Sequence, residues 1–325
     1  MTLKPTLLRA LCVAALTLAG ACTALAQSFP SRPIRIVVPF PPGAFNDTLG
    51  RTLANEFGKG FAPGSFVDNK PGGNTVIGSD FVAKAAPDGY TLLGVAVPFA
   101  LLGSLSPQAK IDPLRDFTPV AYAGFTPNIL VVNTATPYKT VKDLIEAARA
   151  KPGSIAYAST GNGTSNHLSM ELFKAMAGVD LTHIPYKGSA PAVTDLIGGQ
   201  VQALFDNTPN VLPQIKAGKL RALAVTSAKR FALVPDLPTM AEAGVPGYEV
   251  SVWFGTVAPA GTPREVVQKI NTEINRILAL PEVKERFSGA GIEIVGGAPE
   301  TFGALLRKDV AMWAKVVKDA NIKAD

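Results

Sequence analysis

The chain has 325 residues, 47% hydrophobic and 17% charged, with 31 Lys and Arg against 25 Asp and Glu. That balance excludes a disordered chain, and the length gives room for two domains with separate cores. With only 2 cysteines and 2 histidines and no run of five or six basic residues, a thiol catalyst and a nucleic-acid binder both lack support.

Lys4 and Arg9 precede an apolar run from Ala10 to Ala21, and Ala24 and Ala26 set small residues before a cut ahead of Gln27. This is the pattern of a secretory signal over residues 1–26. The run is shorter than the ~20 residues a membrane span needs. Cys22 lacks the large aliphatic residue that lipid attachment wants, since Ala19 stands there. Cleavage removes Cys12 and Cys22 and leaves 299 residues with 29 basic and 25 acidic side chains, a net +4. The mature protein is therefore expected to be exported, without thiols, and weakly attractive to anions.

The run Ile34 to Val38 predicts a strand. It ends in Pro39-Phe-Pro-Pro-Gly-Ala-Phe-Asn-Asp47, and a helix is predicted from Thr48, with Leu49, Leu53 and Phe57 on one face. Gly43 permits a turn and Asp47 is the expected N-cap. Taken alone, this is as well read as a tight strand–helix connection. Buried strands are predicted at Thr91–Val97, Ile129–Val132, Val201–Phe205 and Ala222–Thr226, with helices at Val141–Ala150, Ala190–Ile197, Thr262–Leu280 and Thr301–Val317. Thr262, Pro263 and Glu265 suggest a capping box. Strand–helix alternation of this kind argues for parallel α/β sheets.

The most informative stretch runs from Tyr157 to His167. A strand end, Ser154 to Ala158, precedes it, and a helix follows with Leu168, Leu172 and Met176 on one face. Between them Ser159, Thr160, Gly161, Asn162, Gly163 and Thr164 form a loop of glycines, hydroxyls and an amide. Such a loop can aim backbone N–H groups, hydroxyls and a helix N-terminus at one small volume. A carboxylate would be held there without lysine or arginine. In α/β sheets ligands sit beyond the carboxyl ends of strands, where both loops lie.

Other residues admit two readings. Asp206 either reaches the cleft, ordering water or a ligand hydroxyl or ammonium, or caps a turn. Tyr186 lines the cleft or packs in the core, Pro98 and Phe99 stand at the right strand end for a cleft wall, and His167 orients the glycine loop. Lys187 pairs with a second carboxylate or is a surface lysine, and Trp253 and Phe254 are hinge or core residues. Enzyme motifs are missing: no Gly-x-Ser-x-Gly, no phosphate-binding Gly-x-x-x-x-Gly-Lys-[Ser/Thr], and no acidic cluster beside His167 and His183 for a metal. A pairing of Asp47 with Asp206 would need burial to keep one protonated.

The ordered series of motifs resembles the solute-binding receptors of the tripartite tricarboxylate transporter family, the Bug receptors. It comprises the first loop, Asn69-Lys-Pro-Gly-Gly-Asn74 with Gly78, Ala86-Pro-Asp-Gly-Tyr-Thr-Leu-Leu93, Ser159-Thr-Gly-Asn-Gly163 with His167, Pro185-Tyr-Lys-Gly-Ser-Ala-Pro-Ala192, Asp195-Leu-Ile-Gly-Gly199, Phe205-Asp-Asn207 and Ala258-Pro-Ala-Gly-Thr-Pro263. The resemblance implies a two-domain α/β periplasmic binding protein of the type II, Venus-flytrap kind, each domain a mainly parallel sheet flanked by helices. It implies a first domain of 27–123 plus 249–325 and a second of 124–248. It also implies a monomer that is not an enzyme and uses no cofactor or metal. The ligand would be a di- or tricarboxylate, an amino acid or an aromatic acid, delivered to membrane transporter subunits or, alternatively, presented to a signalling protein. Carried over, the ligand would meet Phe40, Pro42, Gly43, Ala44, Phe45 and Asp47 on one side and residues 159–164 with His167 on the other. The family usually has a second glycine where this chain has Ala44, followed by small residues where Phe45 stands. Phe45 is therefore expected either to offer an apolar wall, which would favour an aromatic or aliphatic acid over citrate, or to pack into its own domain.

Overall fold

The computed structural model describes residues 29–43, 45–319 and 322. The expected signal peptide, 1–26, and Ala44 lie outside the described residues.

Short β-branched or apolar runs form β1 (Arg35–Val38), β2 (Phe66–Asn69) and β3 (Thr91–Ala96). With the longer β4 (Phe117–Thr126), β10 (Val252–Pro259) and β11 (Glu293–Ile294), they make a six-stranded sheet ordered β11-β4-β10-β3-β1-β2. The second sheet holds β5 (Asn128–Asn133), β6 (Ala156–Ser159), β7 (Thr182–Pro185), β8 (Ala203–Asn207) and β9 (Leu220–Val225), ordered β7-β6-β8-β5-β9. Among the named strands, parallel pairing is confined to β2-β1-β3 and β7-β6-β8. Both sheets are mixed rather than mainly parallel, because β10 runs antiparallel to β3 and β4, and β5 runs antiparallel to β8 and β9.

The chain passes between the sheets twice. Only Pro127 separates β4 from β5, and the return runs from Val225 to Val252. The two passages are tied together at Thr226: its hydroxyl accepts from Asn128 N–H at 2.9 Å and its carbonyl from Val250 N–H at 2.8 Å.

The helices that matter for the site follow parallel strands. They are α1 (Phe45–Glu56) after β1, α2 (Val76–Ala83) after β2 and the one-turn α3 (Val97–Ala100) and α4 (Leu102–Leu105) after β3. In the second sheet α5 (Val141–Ala150) precedes β6, and α6 (Ser165–Ala177), α7 (Ser189–Ile197) and α8 (Thr208–Lys216) follow β6, β7 and β8. The C-terminal α9 (Arg264–Leu278), α10 (Pro281–Gly289) and α11 (Pro299–Asp319) return to the first sheet. There Trp253 of β10 is fully buried and meets Phe302 of α11 edge-on at 5.5 Å.

Three local expectations are corrected. Thr262 turns its hydroxyl back to Pro259 O at 2.7 Å, so α9 starts without the expected capping box; Thr140 and Asp143 form one at α5 instead. On α6 the stripe Leu168, Leu172, Met176 is not the buried face. Leu168 is buried but Met176 is 40% exposed, and Asn166, Ser169, Met170 and Phe173 point inward. Asp47 lies inside α1, not before it.

Candidate functional site

The first loop is held by a carboxylate. Gly43 N–H donates to Asp47 Oδ2 at 3.1 Å, and Arg51 Nε donates to the same oxygen at 2.9 Å. Asn69 Nδ2 donates to Asp47 Oδ1 at 2.9 Å and to Phe40 O at 3.2 Å, tying the end of β2 to the loop. The Arg51 guanidinium, chiefly, holds the Asp47 carboxyl below the usual carboxylate range, helped by Asn69 and Gly43. With both oxygens engaged, Asp47 shapes the loop. Pro42 and Gly43 are exposed at its tip, and Gly43 takes φ +95° with open space where a Cβ would stand. Phe45 packs into its own lobe, its ring 4.5 Å from Phe254 and 5.0 Å from Phe287. These contacts fit the reading in which Phe45 packs into its own domain, with the ring half-buried.

The turn between β2 and α2 continues the same rim. Gly72, Gly73, Asn74 and Thr75 all have positive φ, at 122°, 57°, 50° and 76°. A β-branched residue is rarely found there, and such strain collects at ligand clamps. Pro98 stands in the first turn of α3, half-buried.

The second loop spends many of its polar groups on itself. Thr160 Oγ1 donates to Asn166 Oδ1 and Thr164 Oγ1 to Gly161 O, both at 2.7 Å. Gly161 N–H donates to Ser159 Oγ at 3.2 Å, Thr164 N–H to Gly161 O at 3.4 Å, and Gly163 N–H to His167 Nδ1 at 3.2 Å. The glycine amides expected to meet an anion are thus tied inside the loop, and His167 orients it as expected. The external donors are the first-turn amides of α6, which no side chain caps. Gly163 is buried at φ +71°, and a Cβ there would lie 2.7 Å from Leu105 Cδ1 and 3.7 Å from Asn74 Nδ2. The second loop therefore touches the rim of the first sheet. Asn74 lies in the turn that follows Asn69, whose amide is bonded to the first loop.

Asp206 closes the floor. It is 1% exposed; Asn166 Nδ2 at 2.9 Å, Asn207 N–H at 2.7 Å and Asn210 Nδ2 at 3.0 Å donate to Oδ1, and the Ser189 hydroxyl to Oδ2. Burial pushes its carboxyl up from the usual range while these donors pull it down, and burial wins. Its place between α6, α7 and α8 makes it an anchor for their N-termini. Tyr186 donates its hydroxyl to Asp195 Oδ2 at 2.8 Å, which orients its half-buried ring.

Sequence reasoning missed Asn46 and Thr75, while Asn207 was named with Asp206 at a strand end that reaches the cleft. Each of the three carries a buried side-chain oxygen without a hydrogen-bond partner, and each adjoins the start of a helix after a strand: α1, α2 and α8. Orphaned oxygens of this kind mark places where a ligand or ordered water completes the bonding. His183 was also missed as a loop partner; its only signal was being the second histidine of the chain. A different cavity of about 420 Å³, lined by Tyr122, Lys229, Glu249, Trp253, Lys308 and Asp309 among others, contains none of the loop residues. Its buried carboxylate, Asp309, is taken by Trp253 Nε1 at 2.5 Å, so convergent donors favour the loops as the site.

Among the described residues no group of His, Cys, Asp and Glu could hold a metal ion, and no helix is long and apolar enough to cross a membrane. The family model of the tripartite tricarboxylate transporter family receptor matches residues 49–322. Protein BugT of Bordetella pertussis is 39% identical over 300 residues, covering 92% of each chain. Among solved structures, Rpa4515 of R. palustris with adipate is 39% identical with a TM-score of 0.77, covering 91% of this chain and 99% of that one. MatC of Rhodopseudomonas palustris with bound malate is 32% identical with a TM-score of 0.74, covering 89% and 100%. With two α/β sheets shared with these proteins and the family match spanning nearly the whole described chain, this protein belongs to the receptor family of the tripartite tricarboxylate transporters, which are periplasmic solute-binding proteins and not enzymes.

Proposed function

We propose that the chain captures a small aliphatic dicarboxylate between the loop at 40–47 and the loop at 159–164 and hands it to the membrane subunits of a tripartite transporter. The contact of Gly163 with Asn74 and Leu105 carries this reading, because it brings the uncapped start of α6 against the first lobe's rim. Helix N-termini stabilise carboxylates without a basic side chain. Adipate and malate in the two related structures favour an aliphatic acid. The membership of the strands in two sheets supports a discontinuous first domain built around 27–123 plus 249–325 and a second within 124–248, with β4 carrying residues 124–126 in the first sheet and the passages at Pro127 and near Val250 as the hinge. Export after cleavage before Gln27, and action as a monomer, complete the reading. Ligand selection of the closed form supplies the signal the transporter reads.

The test is thermal unfolding of residues 27–325 against aliphatic dicarboxylates, each paired with its diamide. An acid at 100 times its Kd adds about 2.7 kcal/mol. Stabilisation by one acid and not by its diamide is expected; equal stabilisation by both members of every pair contradicts carboxylate recognition.

A further inference from the structure

The turn that leads into α2 carries a threonine where the backbone favours glycine. Val76 N–H donates to Gly73 O at 3.1 Å, and the two residues between them, Asn74 and Thr75, have φ 50° and 76°. This is a type I′ turn, in which both central residues are left-handed and the pair Asn-Gly is preferred. Asn74 suits the first central place, because a short polar side chain tolerates that region. Thr75 occupies the second with ψ −6°, an outlier for a β-branched residue.

The protein gives that side chain no partner. Thr75 stands at the N-cap of α2, where a threonine ordinarily accepts from a helix amide, yet it makes no such bond. The residue is 4% exposed, and its hydroxyl is buried without a hydrogen bond. A strained backbone and an unmatched buried hydroxyl thus coincide in one residue. Both work against the fold, and strain of this kind collects where function uses it.

Thr75 is also placed at the cleft rim. Its turn follows β2, at the same end of the sheet as the first loop after β1 and Pro98 after β3, since those three strands are parallel. Its neighbour Asn74 has Nδ2 3.7 Å from where a Cβ on Gly163 of the second loop would stand. The basic side chains at this end of β2 are engaged. Arg51 bonds Asp47 and Asn69, and Lys70 pairs with Asp68 at 3.4 Å and lies over the Phe81 ring. The orphaned oxygen of the first loop, Asn46 Oδ1, can only accept, whereas a threonine hydroxyl can donate to an anion.

We infer that Thr75 sets the preference for a second acidic group, its hydroxyl donating to the carboxylate of the bound acid that is remote from α6. The inference rests on the dicarboxylate reading above. A diacid completes the bonding of Thr75 Oγ1; a monoacid of equal length leaves that hydroxyl buried and unmatched. One helical turn on, Ser79 Oγ is fully buried and also lacks a partner, but its backbone is unstrained, and it serves as the comparison.

The experiment is calorimetric titration of residues 27–325 with adipate, with malate and with hexanoate, which matches adipate in chain length and lacks one carboxylate. Thr75→Val keeps the β-branch and removes the hydroxyl, Thr75→Gly also frees the backbone, and Thr75→Ser keeps the hydroxyl. Valine and glycine are expected to weaken diacid binding by about tenfold without weakening hexanoate, the size of one hydrogen bond to a charged group. Thr75→Ser and Ser79→Ala are expected to stay within about threefold of the wild type. The melting temperature of the ligand-free protein should rise in Thr75→Val and Thr75→Gly, because each removes an unmatched hydroxyl and glycine removes the strain as well. A lower melting temperature with unchanged diacid affinity would assign Thr75 to the fold and overturn the inference. Equal losses for adipate and hexanoate, or equal losses in Ser79→Ala and Thr75→Val, overturn it too, since they indicate a disturbed site or a shared water. In each of these cases the dicarboxylate reading stands. Failure of both adipate and malate to bind the wild type overturns that reading and the inference together. Should Thr75→Val not fold, Thr75→Gly, which relaxes the turn, decides the matter by the same comparison.

Discussion

Asp206→Ala is expected to destabilise the protein by about 3–4 kcal/mol, the largest effect of any single substitution at the site. The carboxylate is buried and receives Asn166, Ser189, Asn210 and the Asn207 amide, so removing it strands four donors at once. These donors belong to the N-termini of three helices, so the damage extends to binding: α6, α7 and α8 lose their common anchor. The pH dependence gives a second check. Burial holds the Asp206 carboxyl above its ordinary value. Its stabilising contribution is therefore full below the unfolded-state pKa and declines as pH rises through the folded one. The gap between wild type and Asp206→Ala should be wider at pH 4 than at pH 8. Urea denaturation at both pH values measures it; a gap under about 1 kcal/mol at each would show that the donors find other partners.

Gly163→Ala is expected to leave the fold in place and weaken acid binding by about tenfold or more. The residue sits at φ +71°, which costs an alanine about 1 kcal/mol. The added methyl would also enter Leu105 Cδ1, the first lobe's contact with the second loop, at 2.7 Å. A wedge at that point holds the lobes apart where the acid needs both. Leu105→Ala removes the obstructing methyl groups, so the double substitution should recover part of the affinity that Gly163→Ala loses. Contacting residues show such coupling, and independent ones add. Calorimetric titration of the four proteins in the cycle measures the coupling, and strict additivity would remove Leu105 from the closing contact.

Much of the candidate site was legible in the sequence because its signals are local. Gly43, Gly161 and Gly163 interrupt the apolar periodicity directly after strands, and the hydroxyls between them mark a loop that feeds a helix. What escaped depends on pairing between distant segments. His183 reads as one polar residue in a four-residue strand, and only the β6–β7 register and the placement of α6 bring it to His167. The hydroxyls of Thr160 and Thr164 looked like ligand donors because sequence shows what a side chain can donate, not which acceptor lies nearest. Asn166 and Gly161 O are those acceptors. β10 gave no periodic signal, since all eight of its residues are buried. The alternation of strands and helices suggested parallel sheets and could not reveal that β10 and β5 run against their neighbours. Thr262 had the right spacing for a cap, yet the Pro259 carbonyl lies closer to its hydroxyl than the helix amides do.

The central claim is that one acid is gripped by both loops. A crystal structure of residues 27–325 with the acid that stabilises the protein most tests it directly. The account predicts one carboxylate within hydrogen-bond distance of the first-turn amides of α6, with the rest of the molecule reaching the rim formed by residues 40–47 and Asn74–Thr75. An acid bound instead in the cavity beside Trp253 and Asp309, with nothing between the loops, would contradict it.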